Sequence, residues 1–111
     1  MAKGDFIGEF ELYVLLATAH QGDDAYGVTI RREIEARTGR TIAIGAVYAT
    51  LARLEEKGLV QFRMSDPQPV QGGRARKYFS LTRPGARALR HSTAMLARMI
   101  DGLSTELRGG Q

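Results

Sequence analysis

The chain has 111 residues, of which 43% are hydrophobic, and it contains no cysteine. This length predicts a single domain with one modest core, and the lack of cysteine excludes disulfides and thiolate metal sites. The formal net charge is only +4, but the basic residues are concentrated between Arg74 and Arg90, where no acidic residue occurs. Such a stretch favours a polyanionic partner, although a solvated face that aids solubility would have the same composition.

No apolar run approaches the length of about 18–20 residues that a membrane span needs. The apolar run from Leu12 to Ala17 is also too short for a secretory signal peptide. We therefore expect a cytoplasmic protein without a membrane segment.

Two helices are predicted first along the chain. The first spans about Phe6 to His20, where apolar residues recur at helical spacing. Gly22 is placed to close this helix, and Asp24 is placed to cap the next one. The second helix is predicted from about Ala25 to Thr38, with Gly39 ending it.

A third helix begins near Ile44 or Gly45 and stops at Gly58. Because a tight connection joins it to the second helix, the pair is predicted to form a helix-turn-helix. Its apolar stripe predicts four buried side chains: Val47, Tyr48, Leu51 and Leu54.

Two strands follow, Leu59 to Met64 and Arg74 to Thr82, separated by a Pro- and Gly-rich loop from Ser65 to Gly73. A helix that leads into a hairpin with a basic returning strand is typical of a winged helix. The fold class is therefore predicted as mainly α with a small β-hairpin. Residues 1–82 would form the winged helix-turn-helix domain and residues 83–108 a C-terminal dimerisation helix.

The last helix is predicted to start after a Thr82 cap, with Pro84 in its first turn. Six of its residues alternate four and three apart, which is the spacing of a coiled-coil seam. This seam predicts a homodimer, and the alternative is that the helix folds back on the first helix of its own chain. The seam residues are Leu89, Thr93, Leu96, Ile100, Leu103 and Leu107.

Nothing in the sequence indicates catalysis. No nucleophile is paired with a local histidine motif, and no glycine-rich phosphate loop of the usual spacing occurs. His20 with Asp23 and Asp24 is too small a group to indicate a metal site, and helix capping accounts for the aspartates. We expect no cofactor, no metal and no enzymatic activity.

The third helix supplies most candidate groove contacts. These residues lie off the apolar stripe and near the start of the helix, where small side chains let the backbone approach DNA closely. Two of them are ambiguous, since Tyr48 is either core or a phosphate contact through its hydroxyl, and Arg53 is alternatively an ion-pair partner of Glu56 or Glu33. The candidates are Thr41, Gly45, Ala46, Tyr48, Thr50 and Arg53.

The wing supplies the remaining DNA contacts. Arg74 and Arg76 flank the loop tip, where a hairpin reaches the DNA backbone or the minor groove, and Lys77 is the nearest alternative. With few side chains available to read bases, much of the affinity should come from phosphate contacts and be sensitive to salt.

Several segments, in this order, resemble the PadR family of bacterial winged-helix transcriptional regulators. They are Tyr26-Gly27 with Ile30, Gly45-Ala46-Val47-Tyr48 with Leu51, Arg53-Leu54-Glu55 with Gly58-Leu59-Val60, and Gly73-Arg74 with Arg76-Lys77-Tyr78-Phe79, Leu81-Thr82 and Gly85. Two positions depart from the family pattern, which usually has proline where this chain has Ala49 and Ala75.

The resemblance implies a homodimer joined through C-terminal helices, which binds a palindromic operator, usually as a repressor. It also implies release by a small aromatic or drug-like molecule. The single C-terminal helix resembles the compact subfamily, whose drug pore commonly uses a tryptophan that this chain lacks. Met95 and Met99 are the candidate ligand contacts, with core or seam packing as the alternative. The rival hypothesis is a winged-helix adaptor whose basic wing binds an acidic protein.

Overall fold

A computed structural model describes residues 7–65 and 75–109 and confirms the predicted fold class: four helices and one two-stranded antiparallel hairpin. Short 3₁₀ turns at Gly22–Asp24 and Thr105–Leu107 supplement these elements. In chain order the elements are α1 (Glu9–Gln21), α2 (Gly27–Thr38), α3 (Ile44–Glu56), β1 (Val60–Met64), β2 (Lys77–Leu81) and α4 (Arg83–Ile100).

The core lies where α1, α2 and α3 meet the hairpin. Each helix contributes apolar side chains from one face, and each strand contributes one, because burial of this surface is the main favourable term in folding. The largest contributors are Val14, Leu15, Ile30, Ile34, Val47, Leu51, Leu54, Val60 and Phe79.

The start of α2 differs from the prediction. Asp24 lies in a 3₁₀ turn instead of capping α2, and the helix begins two residues later than expected. The hydroxyl of Thr29 accepts a hydrogen bond of 3.0 Å from the Tyr26 amide, which stabilises the helix entry. The Ala25 carbonyl accepts a hydrogen bond of 2.7 Å from the Phe79 amide, so the segment before α2 is held against β2.

The hairpin pairs Val60 with Leu81 and Phe62 with Phe79. Val60 and Phe79 are buried, whereas Phe62 is 41% exposed. The returning strand was predicted to begin at Arg74, which lies outside the described residues, and β2 itself begins at Lys77.

The junction between the hairpin and α4 is centred on Thr82, whose predicted cap is confirmed. Its hydroxyl oxygen accepts a hydrogen bond of 3.0 Å from the Gly85 amide. The same hydroxyl donates to the Gly58 carbonyl over 2.6 Å, and the Thr82 amide donates to the Leu59 carbonyl over 3.1 Å. One residue therefore links the end of β2, the start of α4 and the turn between α3 and β1.

The last helix is shorter than predicted. It ends at Ile100 because Asp101 adopts a non-helical ψ of 130° and Gly102 turns the chain at a φ of 88°. A positive φ of this kind is readily adopted only by glycine. Leu103 and Leu107 consequently lie beyond α4, and the seam does not continue through them as one helix.

Within residues 7–65 and 75–109, no helix combines the length and apolar composition that crossing a membrane requires. The same part of the chain contains no group of three His, Cys, Asp or Glu side chains arranged to hold a metal ion.

Candidate nucleic-acid interface

Arg76, at the base of the wing, lies against aromatic rings. Its guanidinium carbon is 4.2 Å from the centroid of the Tyr26 ring. That ring meets Tyr78 edge-to-face at 5.6 Å, and the Arg63 guanidinium lies 4.6 Å from the centroid of Tyr78. The two arginines thus flank a pair of tyrosines that joins the start of α2 to the hairpin.

Arg76 is positively charged, as an exposed arginine always is. A hydrogen bond with Tyr78 raises the pKa of Arg76 further. No carboxylate among the described residues lies within ion-pair distance of its guanidinium. Arg76 therefore presents a positive charge that the described part of the fold does not neutralise.

Tyr48 was predicted to be either core or a phosphate contact, and 46% of the residue is exposed, which excludes the core alternative. Its ring lies against the start of α2, where a β-carbon added to Gly27 would fall 2.5 Å from the Tyr48 hydroxyl oxygen. A larger residue at position 27 would require the Tyr48 ring to move. We call Tyr26, Tyr48, Tyr78 and Arg76 the tyrosine–arginine cluster, in which Arg76 lies over the Tyr26 ring, Tyr26 contacts Tyr78, and Tyr48 borders the start of α2.

Thr50 was predicted to face the groove, and this is wrong. The residue is 1% exposed because it lies on the core side of α3, between Val47 and Leu54. Its hydroxyl accepts a hydrogen bond of 3.1 Å from Arg53, so its polar atom contacts protein instead of solvent. The remaining small candidates of this region are exposed: Thr41, Gly45 and Ala46, with the neighbouring Ala43 and Ala49.

Arg53 pairs with a residue that the sequence did not indicate. Its Nε lies 3.7 Å from a carboxylate oxygen of Glu11, whereas neither Glu56 nor Glu33 pairs with it. The Arg53 side chain is still 55% exposed. It can therefore meet a phosphate while it remains near α1.

Glu11 is a buried carboxylate that joins α1 to the end of α3. Its oxygens accept hydrogen bonds of 3.0 and 3.1 Å from Lys57 and one of 3.0 Å from the Gly8 amide. Burial alone would raise the pKa of Glu11, but the Gly8 amide, Lys57 and Arg53 together outweigh burial and lower it. Glu11 is therefore a structural anion that holds the C-terminal half of α3 against α1.

Lys77 lies on the other face of the wing from the tyrosine–arginine cluster. Its ammonium group is 3.9 Å from the centroid of the Phe62 ring and 4.0 Å from a carboxylate oxygen of Glu55. Alternation along β2 separates it from Arg76 and Tyr78. Of these two candidates for a DNA contact, Lys77 has a carboxylate partner and Arg76 has none among the described residues. The third candidate, Arg74, lies outside the described residues.

The predicted seam residues divide into two groups. Leu89 is half-buried and packs against the core of its own chain, and the Thr93 hydroxyl donates to the Leu89 carbonyl over 3.0 Å. Farther along, large apolar side chains are exposed. These are Leu96 (49%), Met99 (79%), Ile100 (43%), Leu103 (39%) and Leu107 (71%).

The predicted ligand contacts Met95 and Met99 do not line the cavity that the described residues form between α1 and α2. This cavity has a volume of about 210 Å³ and mostly apolar walls. Its lining residues are Tyr13, Leu16, Ala17, His20, Glu33, Ile34, Arg37 and Thr38.

Sequence reasoning did not identify Tyr26 or Arg63 as part of the candidate site. The available signal was Tyr26-Gly27 at a helix entry, because glycine at such a position accommodates a close neighbour. The identity of that neighbour, Tyr48, depends on the packing of α3 across α2.

Comparison with known proteins agrees with this architecture. The family model described as "Transcriptional regulator PadR-like family" matches residues 15–91. The "Transcriptional regulator Rv3488" of Mycobacterium tuberculosis is 33% identical over 93 residues, which cover 83% of this chain and 78% of the relative.

Solved structures of similar fold include a PadR family transcription regulator from Clostridium difficile, with a TM-score of 0.72 and 25% identity over 92% of this chain and 100% of the other. A PadR family transcriptional regulator from Eggerthella lenta has a TM-score of 0.65 and 28% identity, covering 91% of this chain and 89% of the other. With a family match that spans well over half of its residues, the chain belongs to the PadR-like family of transcriptional regulators and is not an enzyme.

Proposed function

We propose that the protein is a cytoplasmic homodimeric repressor that binds a palindromic operator through α3 and the wing and is released by a small hydrophobic or aromatic effector. The observation that carries the DNA contact is the tyrosine–arginine cluster. In it the charge of Arg76 lies over the Tyr26 ring, and the half-exposed Tyr48 borders the same end of α2, next to the small exposed residues at the start of α3.

The start of α2 adds to this surface. The first amides of a helix have no partner within the helix, and the helix dipole favours an anion there. Because Tyr26 and Tyr48 border this end of α2, their hydroxyls and the Arg76 guanidinium can converge on the same phosphate oxygens. This arrangement favours a contact with the DNA backbone over a contact that reads bases.

Base readout falls to the small residues at the start of α3. Gly45, Ala46 and Ala49 let the helix enter the major groove closely but offer little hydrogen bonding to base edges. Phosphate contacts should therefore supply most of the affinity, which predicts a steep dependence on salt.

The homodimer is supported by the exposed apolar residues of α4. Leu96, Met99 and Ile100 lie on one side of the helix and have no cover within the described chain. A second copy supplies the same surface in reverse, which is the isologous arrangement of most dimers. A two-fold dimer of winged helices matches a palindromic site, and repression and effector release are what the family resemblance implies.

The test is a mobility-shift titration at low salt with fragments from the promoters of the protein's own gene and its neighbours, together with a light-scattering mass. We expect a dimer that binds one such fragment and dissociates as salt is raised. An intact dimer that binds none of the fragments would favour the adaptor hypothesis, in which the basic wing binds an acidic protein.

A further inference from the structure

One basic surface takes no part in the interface described above. It consists of four arginines on α4, which we call the basic stripe: Arg83, Arg87, Arg90 and Arg98. All four residues are exposed. At 3.6 residues per turn they fall within an arc of about 80°.

The opposite side of the same helix is apolar. Gly85 is buried, Leu89 packs on the core, and Leu96 and Ile100 form the proposed subunit interface. A dimer joined through this apolar side would leave the basic stripe in solvent.

The charges of the basic stripe are not used by the fold. No carboxylate of the described residues lies within 4.0 Å of any of these guanidinium groups, whereas Arg37, Arg40 and Arg53 each have one. The sequence has no acidic residue from position 75 to position 100. Arg83 also occupies the first turn of α4, where the helix dipole disfavours a cation. The helix dipole favours only Arg98, which lies in the last turn of α4, so the stability of the monomer does not account for Arg83, Arg87 and Arg90.

The basic stripe begins at the end of β2 that is remote from the tip of the wing. Arg76 precedes the start of β2 by one residue and Arg83 follows its end by two, so at about 3.3 Å per residue they lie about 20 Å apart along the strand. At 1.5 Å per residue the stripe is about 22 Å long, which equals the axial rise of roughly six base pairs of DNA. Contacts from the stripe would therefore fall on a different stretch of DNA from the contact of Arg76. All four side chains are arginines, whose planar guanidinium group binds phosphate oxygens in pairs.

We propose that the basic stripe binds the DNA backbone flanking the operator, so that the dimer occupies more DNA than α3 and the wing alone would cover. The proposal rests on the proposed function, because it requires that the wing bring DNA to the protein. Charge complementarity with phosphate favours DNA over other polyanions, since the proposed function already brings DNA to this protein.

The experiment compares two duplexes, the operator core alone and the core extended by about one helical turn on each side. The test variant is R83Q/R87Q/R90Q, which removes charge from exposed positions. Its matched control is R83K/R87K/R90K, which keeps the charge. Unchanged melting temperature and dimer mass show that each variant folds and assembles.

We expect the wild-type protein to bind the extended duplex at least tenfold more tightly than the core at low salt. The glutamine variant should lose this gain but keep its affinity for the core, and the lysine variant should keep most of the gain. The slope of log affinity against log salt on the extended duplex should fall by about 0.9 for each phosphate contact that the glutamine variant loses.

Equal affinity and salt slope for the wild-type protein and the glutamine variant on the extended duplex would overturn the proposal. So would a loss of affinity that is the same on both duplexes. Binding of phosphatidylglycerol vesicles that the glutamine variant loses, with no effect of flanking DNA, would assign the stripe to a membrane surface instead. If the wild-type protein bound neither duplex, the proposed function would be overturned as well. If it bound the operator core but gained nothing from the flanking DNA, only the proposal for the basic stripe would be wrong.

Discussion

Gly85 in the first turn of α4 lies directly against the backbone carbonyl of Leu59. A β-carbon at position 85 would fall 2.9 Å from the Leu59 carbonyl carbon and still closer to its oxygen. The atoms that it would meet belong to the backbone, which cannot move aside as a side chain can. Gly85 therefore fixes how closely α4 approaches the turn between α3 and β1.

We expect Gly85→Ala to lower the free energy of unfolding by about 2–3 kcal/mol, because overpacking forces backbone shifts. For a domain of this size the melting temperature should fall by roughly 10 °C or more. Gly45→Ala is the matched control, since no heavy atom outside its local backbone lies within 4 Å of an added β-carbon there. The control should be neutral or stabilising by about 0.5–1 kcal/mol. Equal melting temperatures for the two variants would contradict the close approach of Gly85.

Glu11 should make stability depend on pH in the acid range. Its pKa in the folded state lies below the ordinary value of 4.5. The unfolded chain therefore binds more protons, so the contribution of Glu11 is complete above pH 4.5 and is lost as pH falls through the lower folded pKa. Urea unfolding between pH 3 and pH 7 should show a shallower acid decline for Glu11→Gln than for the wild-type protein.

A substitution of Lys57, which donates to both oxygens of Glu11, tests the same interaction through the free energy of unfolding at neutral pH. Lys57→Met should cost about 1–3 kcal/mol, because it removes a hydrogen-bonded cation from a buried carboxylate. Parallel acid declines for the wild-type protein and Glu11→Gln would show that Glu11 has the same pKa in both states.

The two arginines that flank the tyrosine pair should have different roles. Arg76→Ala should weaken operator binding about tenfold and reduce the salt slope by about two for a dimer. Its stability cost should be similar to that of Arg63→Ala, because both arginines contact a tyrosine ring. Arg63 contacts the Tyr78 ring and donates a hydrogen bond of 3.1 Å to the Asp23 carbonyl. Arg63→Ala should therefore lower stability by about 0.5–1 kcal/mol, with a smaller effect on DNA. The assignment is wrong if Arg76→Ala binds the operator with the wild-type salt slope.

Ile100→Glu should weaken the dimer about thirtyfold or more, since it introduces a charge at the proposed apolar interface. Ala94→Glu introduces the same side chain at an exposed position on the opposite side of α4 and should leave the dimer intact. Sedimentation or light scattering over a dilution series measures both variants. A dimer that tolerates Ile100→Glu would place the subunit interface elsewhere.

Local signals predicted much of the fold. The helix stops at Gly39 and Gly58 and the cap at Thr82 depend on residues close in sequence, and all three occur at the predicted places. Gly102 is a comparable signal for the end of a helix, but the last helix was predicted to continue past it because the leucine spacing stays regular up to Leu107. Heptad spacing describes which face is apolar and contains no information on where the helix ends.

The error on α3 has a different cause. Thr50 was assigned to the exposed side of the helix because its polarity was read from the residue alone. It is small enough to pack beside Leu51, and its hydroxyl has a partner in Arg53. For Tyr48 the sequence left core and surface open, because the contact of its ring with Gly27 depends on how α3 packs against α2.

The hydrogen bonds of the Thr82 amide and hydroxyl have a mechanical consequence for a dimer. They hold the start of α4 against the turn between α3 and β1, without a flexible linker between α4 and the hairpin. With 18 residues, α4 is about 27 Å long, so a change of about 10° in the crossing angle of two such helices displaces the attached domains by roughly 5 Å. A small change in the angle between the two α4 helices of a dimer would therefore produce a large change in the distance between its two α3 helices.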